Sequence, residues 1–348
     1  MKYYIGLDAH CKTSTFAVVD ELGQCVLRET VNTSEKHLSQ VINKINGERY
    51  LTFEESTISQ WLYLQLREIV DDLLVCNPVY VAKKQGAKTD FRDALHLAQE
   101  LRTGHLQAVY HDSSHWIQLR VSVSGYLDIV EEIVRFKNRL KSVFRAEAIG
   151  TDENSFYKNK DRVNELKNPS AKFVAGNLFN QIEYLEQEKL KFRKLFEQNR
   201  KKYRPIRNLM TIPGISLIRA NIICSLVCQP ERFKDKHRFW GYCMLVRHIQ
   251  QSGGRIYGNK RFFGRKELRN VFIGAAESAM RTETSLRDHY DAVRAKGGKH
   301  KEAKLSLARR IAAVSLCLLK NNDTYNDNYE EYLNERKRLR KLFYEQAI

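Results

Sequence analysis

The sequence predicts an α/β domain at the N-terminus and an all-helical remainder. Three observations lead there. Up to residue 103, short apolar runs bounded by turn residues alternate with helical patterns. From Trp116 onward the apolar residues recur at helical spacing instead. Four acids, Asp8, Glu54, Asp90 and Asp93, stand at the ends of two apolar runs and at the start of a helical one.

Tyr3–Leu7, Thr15–Val19 and Cys25–Val31 read as strands, with a turn at Glu21-Leu22-Gly23-Gln24 between the last two. A helix over Glu35–Ile45 places Leu38, Val41, Ile42 and Ile45 on one face. A strand (Tyr50–Phe53), a helix (Gln60–Val70) and a strand (Leu73–Cys76) follow, stopped by Asn77-Pro78. Asp90–Thr103 is helical, with Ala94, Leu97, Ala98 and Leu101 along one stripe. Three hairpin-linked strands followed by alternating helix and strand describe a ribonuclease H-like domain.

The acids fall where such a domain can use them. Asp8 ends the first strand and Glu54 the fourth, and a carboxylate at the end of a buried strand is costly unless something positive holds it. Asp90 and Asp93, three apart, share a helix face. Two strand-end acids facing two helical ones can hold a pair of Mg2+ ions, an arrangement suited to cutting or joining phosphodiester bonds. Glu55 adjoins Glu54, and strand alternation favours Glu54 as the ligand. His10, two residues after Asp8, is a candidate base, although a plain surface histidine is the commoner outcome.

The chain has 348 residues, 43% of them hydrophobic, enough for cores in two or three domains. The expected boundaries are 1–112, 113–204 and 205–348. Lys and Arg number 59 against 41 Asp and Glu, a formal charge of +18 that points to a polyanionic partner. A solvated basic surface is the bland alternative. No apolar run reaches the ~18 residues of a membrane span, and Met1 leads straight into a strand. A cytoplasmic protein with no membrane partner is expected. The seven cysteines are scattered, without Cys-x-x-Cys, so reduced core residues are expected rather than a zinc site.

In the helical part, Leu178, Ile182, Leu185, Lys189, Phe192, Phe196 and Asn199 form a heptad-like seam. It suits either a short coiled coil or an amphipathic helix packed within the chain. Thr211-Ile212-Pro213-Gly214-Ile215 is a turn between apolar helices. It is either a helix-hairpin-helix-like element offering amides to phosphate or a plain connection. Gln250-Gln251-Ser252-Gly253-Gly254-Arg255 reads as a flexible polar turn. Residues 255–269 then hold six basic residues, Arg255, Lys260, Arg261, Arg265, Lys266 and Arg269, against the single acid Glu267. Tyr257, Phe262 and Phe263 lie among them, a mixture suited to nucleic acid. The tail, 281–348, is basic and helical.

Taken together, several short motifs in fixed order resemble the IS110 family of insertion-sequence transposases. They are Gly6-Leu7-Asp8-Ala9-His10-Cys11-Lys12, Phe53-Glu54-Glu55-Ser56-Thr57 with Trp61-Leu62-Tyr63, Asn77-Pro78 and Lys88-Thr89-Asp90-Phe91-Arg92-Asp93-Ala94. Toward the C-terminus come Thr211-Ile212-Pro213-Gly214-Ile215, Arg232-Phe233 and Gln251-Ser252-Gly253. A Gly-Leu-x-Pro motif common in the family is replaced here by Gly241-Tyr242-Cys243-Met244-Leu245-Val246. The resemblance implies a RuvC-like domain with Asp8, Glu54, Asp90 and Asp93 as metal ligands for Mg2+. It also implies a coiled-coil spacer and a mostly helical transposase domain with Ser252 as the nucleophile. The catalytic set so implied is Ser252, Asp8, Glu54, Asp90 and Asp93. Lys88 and Arg92, with the six basic residues of 255–269, are the nucleic-acid-binding candidates. The implied partners are donor and target DNA, a non-coding bridge RNA and further copies of the chain in a dimer or tetramer.

Three rival readings stay open on sequence. A ribonuclease H-like nuclease or Holliday junction resolvase would use the four acids without a serine step. An actin-like or sugar-kinase ATPase would use Gly6-Leu7-Asp8 and Lys12-Thr13, although no second Gly-rich phosphate loop is found. A non-enzymatic protein would bind RNA or bridge DNA without chemistry.

Overall fold

A computed structural model describes residues 1–79, 81, 89–112, 115–152, 155–246, 248–260 and 264–328. The chain divides into two compact units, Met1–Ser113 and Ser114–Ile348.

The first unit is built on a mixed five-stranded sheet. Its strands are β1 (Lys2–Ala9), β2 (Thr13–Val19), β3 (Cys25–Asn32), β4 (Glu48–Glu54) and β5 (Asp72–Cys76), in spatial order β3-β2-β1-β4-β5. The first three pair antiparallel, while β4 and β5 add in parallel. Between them run α1 (Glu35–Asn43) and α2 (Ser59–Leu66), and α3 (Asp90–Thr103) follows β5. This is the arrangement expected of a ribonuclease H-like, RuvC-like domain.

Strand alternation sorts the residues of the sheet onto two faces. Ile5 and Leu7 of β1, Phe16 and Val18 of β2, and Leu51 and Phe53 of β4 pack with Leu38, Val41 and Ile42 of α1 and Leu62 and Leu66 of α2. The intervening positions, Gly6, Ala17 and Thr52, therefore turn to the opposite face, where α3 lies against β1 and β2.

That second face is lined with small residues, and the consequence is close approach. A Cβ on Gly6 would stand 1.9 Å from the Ala94 carbonyl oxygen and 2.6 Å from the Ala98 nitrogen, both backbone atoms of α3. Only glycine fits. Gly6→Ala is expected to destabilise the unit by at least the ~1–3 kcal/mol typical of overpacking, because backbone cannot rotate away as a side chain can. The check is a urea unfolding curve; a wild-type midpoint would contradict the packing argument.

Among its described residues, the second unit is helical apart from one hairpin. Its elements are α4 (His115–Arg145), α5 (Pro169–Lys202), α6 (Arg204–Met210), α7 (Leu217–Val227), α8 (Lys236–Tyr242), β6 (His248–Ser252), β7 (Arg255–Lys260), α9 (Lys266–Ala279), α10 (Ser285–Ala295) and α11 (His300–Asn321). The two long helices α4 and α5 run antiparallel: Phe192 packs on Gly125 and Tyr126, Lys137 pairs with Glu186, and Phe179 meets Phe144. The seam read from sequence is thus occupied within the chain. Ile182 is buried with Leu140 and Phe144, and Phe196 with Tyr126 and α7. Parts of α4 and α5 share one core with α7, α9 and α11.

The Thr211–Ile215 turn is also engaged internally. The amides of Thr211, Ile212 and Ile215 bond to carbonyls in and just before the turn. Gly214 adopts φ +89°, and a Cβ there would lie 2.2 Å from the Ala275 carbonyl of α9. Arg219 of α7 donates to the Gly214 carbonyl at 2.5 Å and to the Ser278 hydroxyl of α9 at 3.0 Å.

Among the cysteines, Cys76, Cys224, Cys228 and Cys243 are buried, whereas Cys11 and Cys25 are exposed. Burial pushes the Cys76 thiol up to about 12, and those of Cys224 and Cys243 upward as well, so these sulfurs stay protonated and act as packing. No helix among the described residues is long and apolar enough to cross a membrane.

Candidate functional site

The acids are positioned by the packing just described. Thr89 caps α3, its hydroxyl accepting from the Arg92 amide, so the helix begins at Asp90 and carries Asp90 and Asp93 in its first turn. Ala94 is the residue pressed against Gly6. Asp90 lies one turn before Ala94, about 5.4 Å along the helix. Asp8 lies two residues beyond Gly6, about 6.6 Å along the strand. Both therefore arrive at the C-terminal ends of the parallel strands. Phe91 anchors the same end of α3 to β3, with the Arg28 guanidinium 3.9 Å from its ring centre. Farther along, Gln99 donates to the Gly23 carbonyl at 2.7 Å.

One ligand atom each from Asp8, His10 and Asp90 lie within 4.8 Å of one another. His10 Nε2 is 3.6 Å from Asp8 Oδ2. On sequence His10 is a candidate base, with a plain surface histidine the commoner outcome. It is exposed, and it also joins the acidic group.

Glu54 and Glu55 separate cleanly. In the parallel register Leu7 faces Phe53, so Glu54 ends β4 beside Asp8 and shares the parity of Thr52 on the α3 side. Glu55 is bound elsewhere: its carboxylate accepts from His111 Nε2 at 2.5 Å. His111 Nδ1 lies 2.9 Å from Gln60 Oε1, and Gln60 donates to the Asp112 carbonyl at 2.9 Å. Sequence inspection missed this Glu55–His111–Gln60 chain, whose members lie up to 56 positions apart.

In the second unit, Ser252 is not in the loose loop that the sequence suggests. It ends β6 and pairs in register with Arg255, the first residue of β7. The two residues between them, Gly253 and Gly254, have φ of +56° and +76°, the left-handed pair that a two-residue hairpin turn needs. Opposed residues project to the same face, so Ser252 and Arg255 are neighbours there. Both are exposed, as is Tyr257 farther along β7. Gly-Gly between two short strands was the available signal. The polar run Gln250-Gln251-Ser252 concealed it, because it lacks apolar alternation.

Of the basic candidates, Arg92, Arg255, Arg265, Lys266 and Arg269 are exposed. Arg265 precedes α9 and gives its amide to the Tyr242 carbonyl at 2.7 Å. Lys88 and Arg261 lie outside the described residues, as do the aromatics Phe262 and Phe263 and the side chain of Lys260.

Family comparison matches both units. Residues 5–147 match the DEDD transposase model of IS110 elements, described as "Transposase". Residues 206–291 match a second model, described as "Transposase IS116/IS110/IS902 family". The chain belongs to the IS110 family of transposases. Two curated relatives are insertion-element proteins. The IS900 uncharacterized 42 kDa protein of Mycobacterium paratuberculosis is 29% identical over 136 residues, 38% of this chain and 34% of the relative. The IS110 uncharacterized 43.6 kDa protein of Streptomyces coelicolor is 26% identical over 118 residues, 34% of this chain and 29% of the relative. The matched regions thus span about a third of each relative. The first IS110 family match holds Asp8, Glu54, Asp90 and Asp93, and the second holds Ser252.

Proposed function

We propose that this chain is a DNA recombinase that excises and inserts its element by strand exchange through a phosphoserine intermediate. The observation that carries this reading is the close packing of α3 on β1 through Gly6, which delivers Asp90 to Asp8 at the strand ends of a DEDD-family domain. Asp8, Glu54, Asp90 and Asp93 would hold the metal, Mg2+ in this reading. The donor set suits a hard divalent cation, being mainly carboxylate oxygen at a half-exposed edge. When bound, such ions stabilise charge on the phosphoryl oxygens and favour the ionised form of a serine hydroxyl.

The chain's own residues do the rest. Ser252 Oγ attacks the phosphorus, an Oγ–P bond forms, and one backbone P–O ester bond breaks as its sugar oxygen takes up a proton. Attack by a sugar hydroxyl from another strand reverses these steps and returns Ser252. Ester is exchanged for ester, so no ATP is required. In this reading Arg255, opposite Ser252, would hold the phosphate, and Arg92, Lys260, Arg261, Arg265, Lys266 and Arg269 would hold flanking backbone. Lys88 is assigned the same role. The nucleophile and the carboxylates come from different units, so the reading requires both at one phosphodiester, from one chain or from two.

Family likeness and the +18 charge support donor and target DNA and a bridge RNA as partners. Residues 113–204 serve as the coiled-coil spacer in this reading. Since Ile182 and Phe196 are used within the chain, a dimer or tetramer would use the outer face of α5. There Phe173, Tyr184 and Leu195 recur every eleven residues and are 73%, 59% and 37% exposed. The α6–α7 turn has the sequence form of a helix-hairpin-helix. With its amides bonded inside the turn, we assign it to holding α9.

A resolvase-like hydrolytic nuclease is the second reading. It is favoured by the fact that all four acids lie in the first unit. A recombination assay on two DNA sites, run with Mg2+ and with EDTA, tests the main reading: joined product with Mg2+ and none with EDTA. Cleavage without joining would favour the nuclease.

Binding should weaken steeply with salt. Replacing Arg265, Lys266 and Arg269 together by Ala is expected to reduce the slope of log K against log salt by about 2–3, at about 0.7–0.9 per lost phosphate contact. Fluorescence anisotropy at several salt concentrations measures it. An unchanged slope would make these side chains a solvated face.

A further inference from the structure

We propose that His10 is itself a ligand of the metal centre, giving the ion between Asp8 and Asp90 a nitrogen donor and a preference for Mn2+ over Mg2+. The inference rests on the metal-centre reading above and adds to its four carboxylates a residue of different chemistry.

Geometry is the first argument. His10 Nε2 stands 3.6 Å from Asp8 Oδ2. That is too long for a hydrogen bond, whose heavy atoms approach to about 2.7–3.2 Å. It does fit two donors sharing one ion. With donors about 2.1 Å from a six-coordinate ion, adjacent donors stand about 3.0 Å apart, so a 3.6 Å separation lies between the adjacent and the opposite spacings. Asp90 supplies a third donor, all three lying within 4.8 Å of one another. Donors on opposite sides of an ion stand about 4.2 Å apart, so a small side-chain rotation closes the set.

The second argument is that the backbone carrying the imidazole is held in place. The His10 amide donates to the Thr13 carbonyl at 3.0 Å, closing the β1–β2 turn. The Thr33 hydroxyl donates to the His10 carbonyl at 2.6 Å, and Thr33 Oγ1 also lies 2.7 Å from the Ser14 hydroxyl. Bonds from β2 and from the end of β3 thus fix this turn beside Asp8. The imidazole itself is 60% exposed, so no core packing explains its orientation.

The donor chemistry then sets the expectation. Mg2+ keeps an oxygen shell of carboxylates and water in strict octahedral geometry. An imidazole nitrogen suits first-row transition ions better, and a shell of two carboxylates and one imidazole leaves open positions for phosphate oxygens. The alternative is an ion pair of a protonated His10 with Asp8, with no place for the nitrogen on the metal.

The test uses the full chain with all histidines 15N-labelled and Mn2+ as the probe. Pulsed electron paramagnetic resonance of the wild type should show hyperfine coupling to a directly bound 15N, absent from His10→Ala. Mn2+ affinity should fall at least about tenfold in that variant, the loss that removing even an outer partner of a metal ligand brings. The Mg2+ concentration needed to displace Mn2+ should fall with it. Equal Mn2+ affinity in both proteins and no nitrogen coupling in the wild type would overturn the proposal and leave His10 an ion-pair partner. The wild-type coupling does not depend on any variant's folding. Failure of the underlying reading looks different: the wild type would bind no Mn2+ saturably, and Asp8→Asn would change nothing.

Discussion

Asp8→Asn is expected to slow strand exchange by roughly three orders of magnitude or more, the several kcal/mol that a metal contributes to phosphoryl charge. Asparagine keeps the shape and one oxygen but removes the charge that holds a divalent cation. Asp90→Asn should behave alike, because the two acids meet where α3 crosses the end of β1. Nucleic-acid affinity should stay within a few-fold, since the basic residues nominated to hold the backbone are not replaced. Glu55 supplies the contrast. Its carboxylate is engaged by His111, so Glu55→Gln should keep most activity while Glu54→Gln loses it. Initial rates of recombination in Mg2+, with anisotropy binding in parallel, measure all four. A fully active Asp8→Asn, or a Glu55→Gln as dead as Glu54→Gln, would remove the assignment.

Ser252→Ala should have an effect as large and of a different kind. The side chain is exposed, and the turn geometry resides in Gly253 and Gly254, so the unfolding midpoint should not move. DNA and RNA binding should also persist. All covalent chemistry should stop, because no other group replaces the attacking oxygen. Ser252→Cys should retain a trace, as a thiolate is intrinsically nucleophilic. For a resolvase-like nuclease the same alanine would be silent, so one variant separates the two readings.

Much of the first unit was legible because its signals are local. The strands are short apolar runs stopped by Gly23 or by Asn77-Pro78, and α3 announces itself with the stripe Ala94, Leu97, Ala98 and Leu101. The preference for Glu54 came from alternation alone. What the sequence could not show was which sheet face α3 covers; that follows from Gly6 meeting the backbone at Ala94 and Ala98. Glu55–His111 was invisible for the same reason, its partners being distant in the chain and joined only by folding. The α5 seam was legible as a heptad-like stripe broken at Lys189 and Asn199, open to a coiled coil or to packing within the chain; that α4 of the same chain occupies it is a tertiary fact. The β6–β7 hairpin was missed because its strands are polar and carry no alternation, leaving Gly253-Gly254 as a lone turn signal.

Covalent trapping tests the central claim most directly. Wild-type protein is incubated with Mg2+ and a nicked suicide DNA substrate that cannot be rejoined, then denatured and digested. The account predicts a protein–DNA adduct that withstands denaturation, with the nucleotide on the peptide that carries Ser252 and no adduct from Ser252→Ala. An adduct on another residue, or cleavage with no adduct at all, would contradict it.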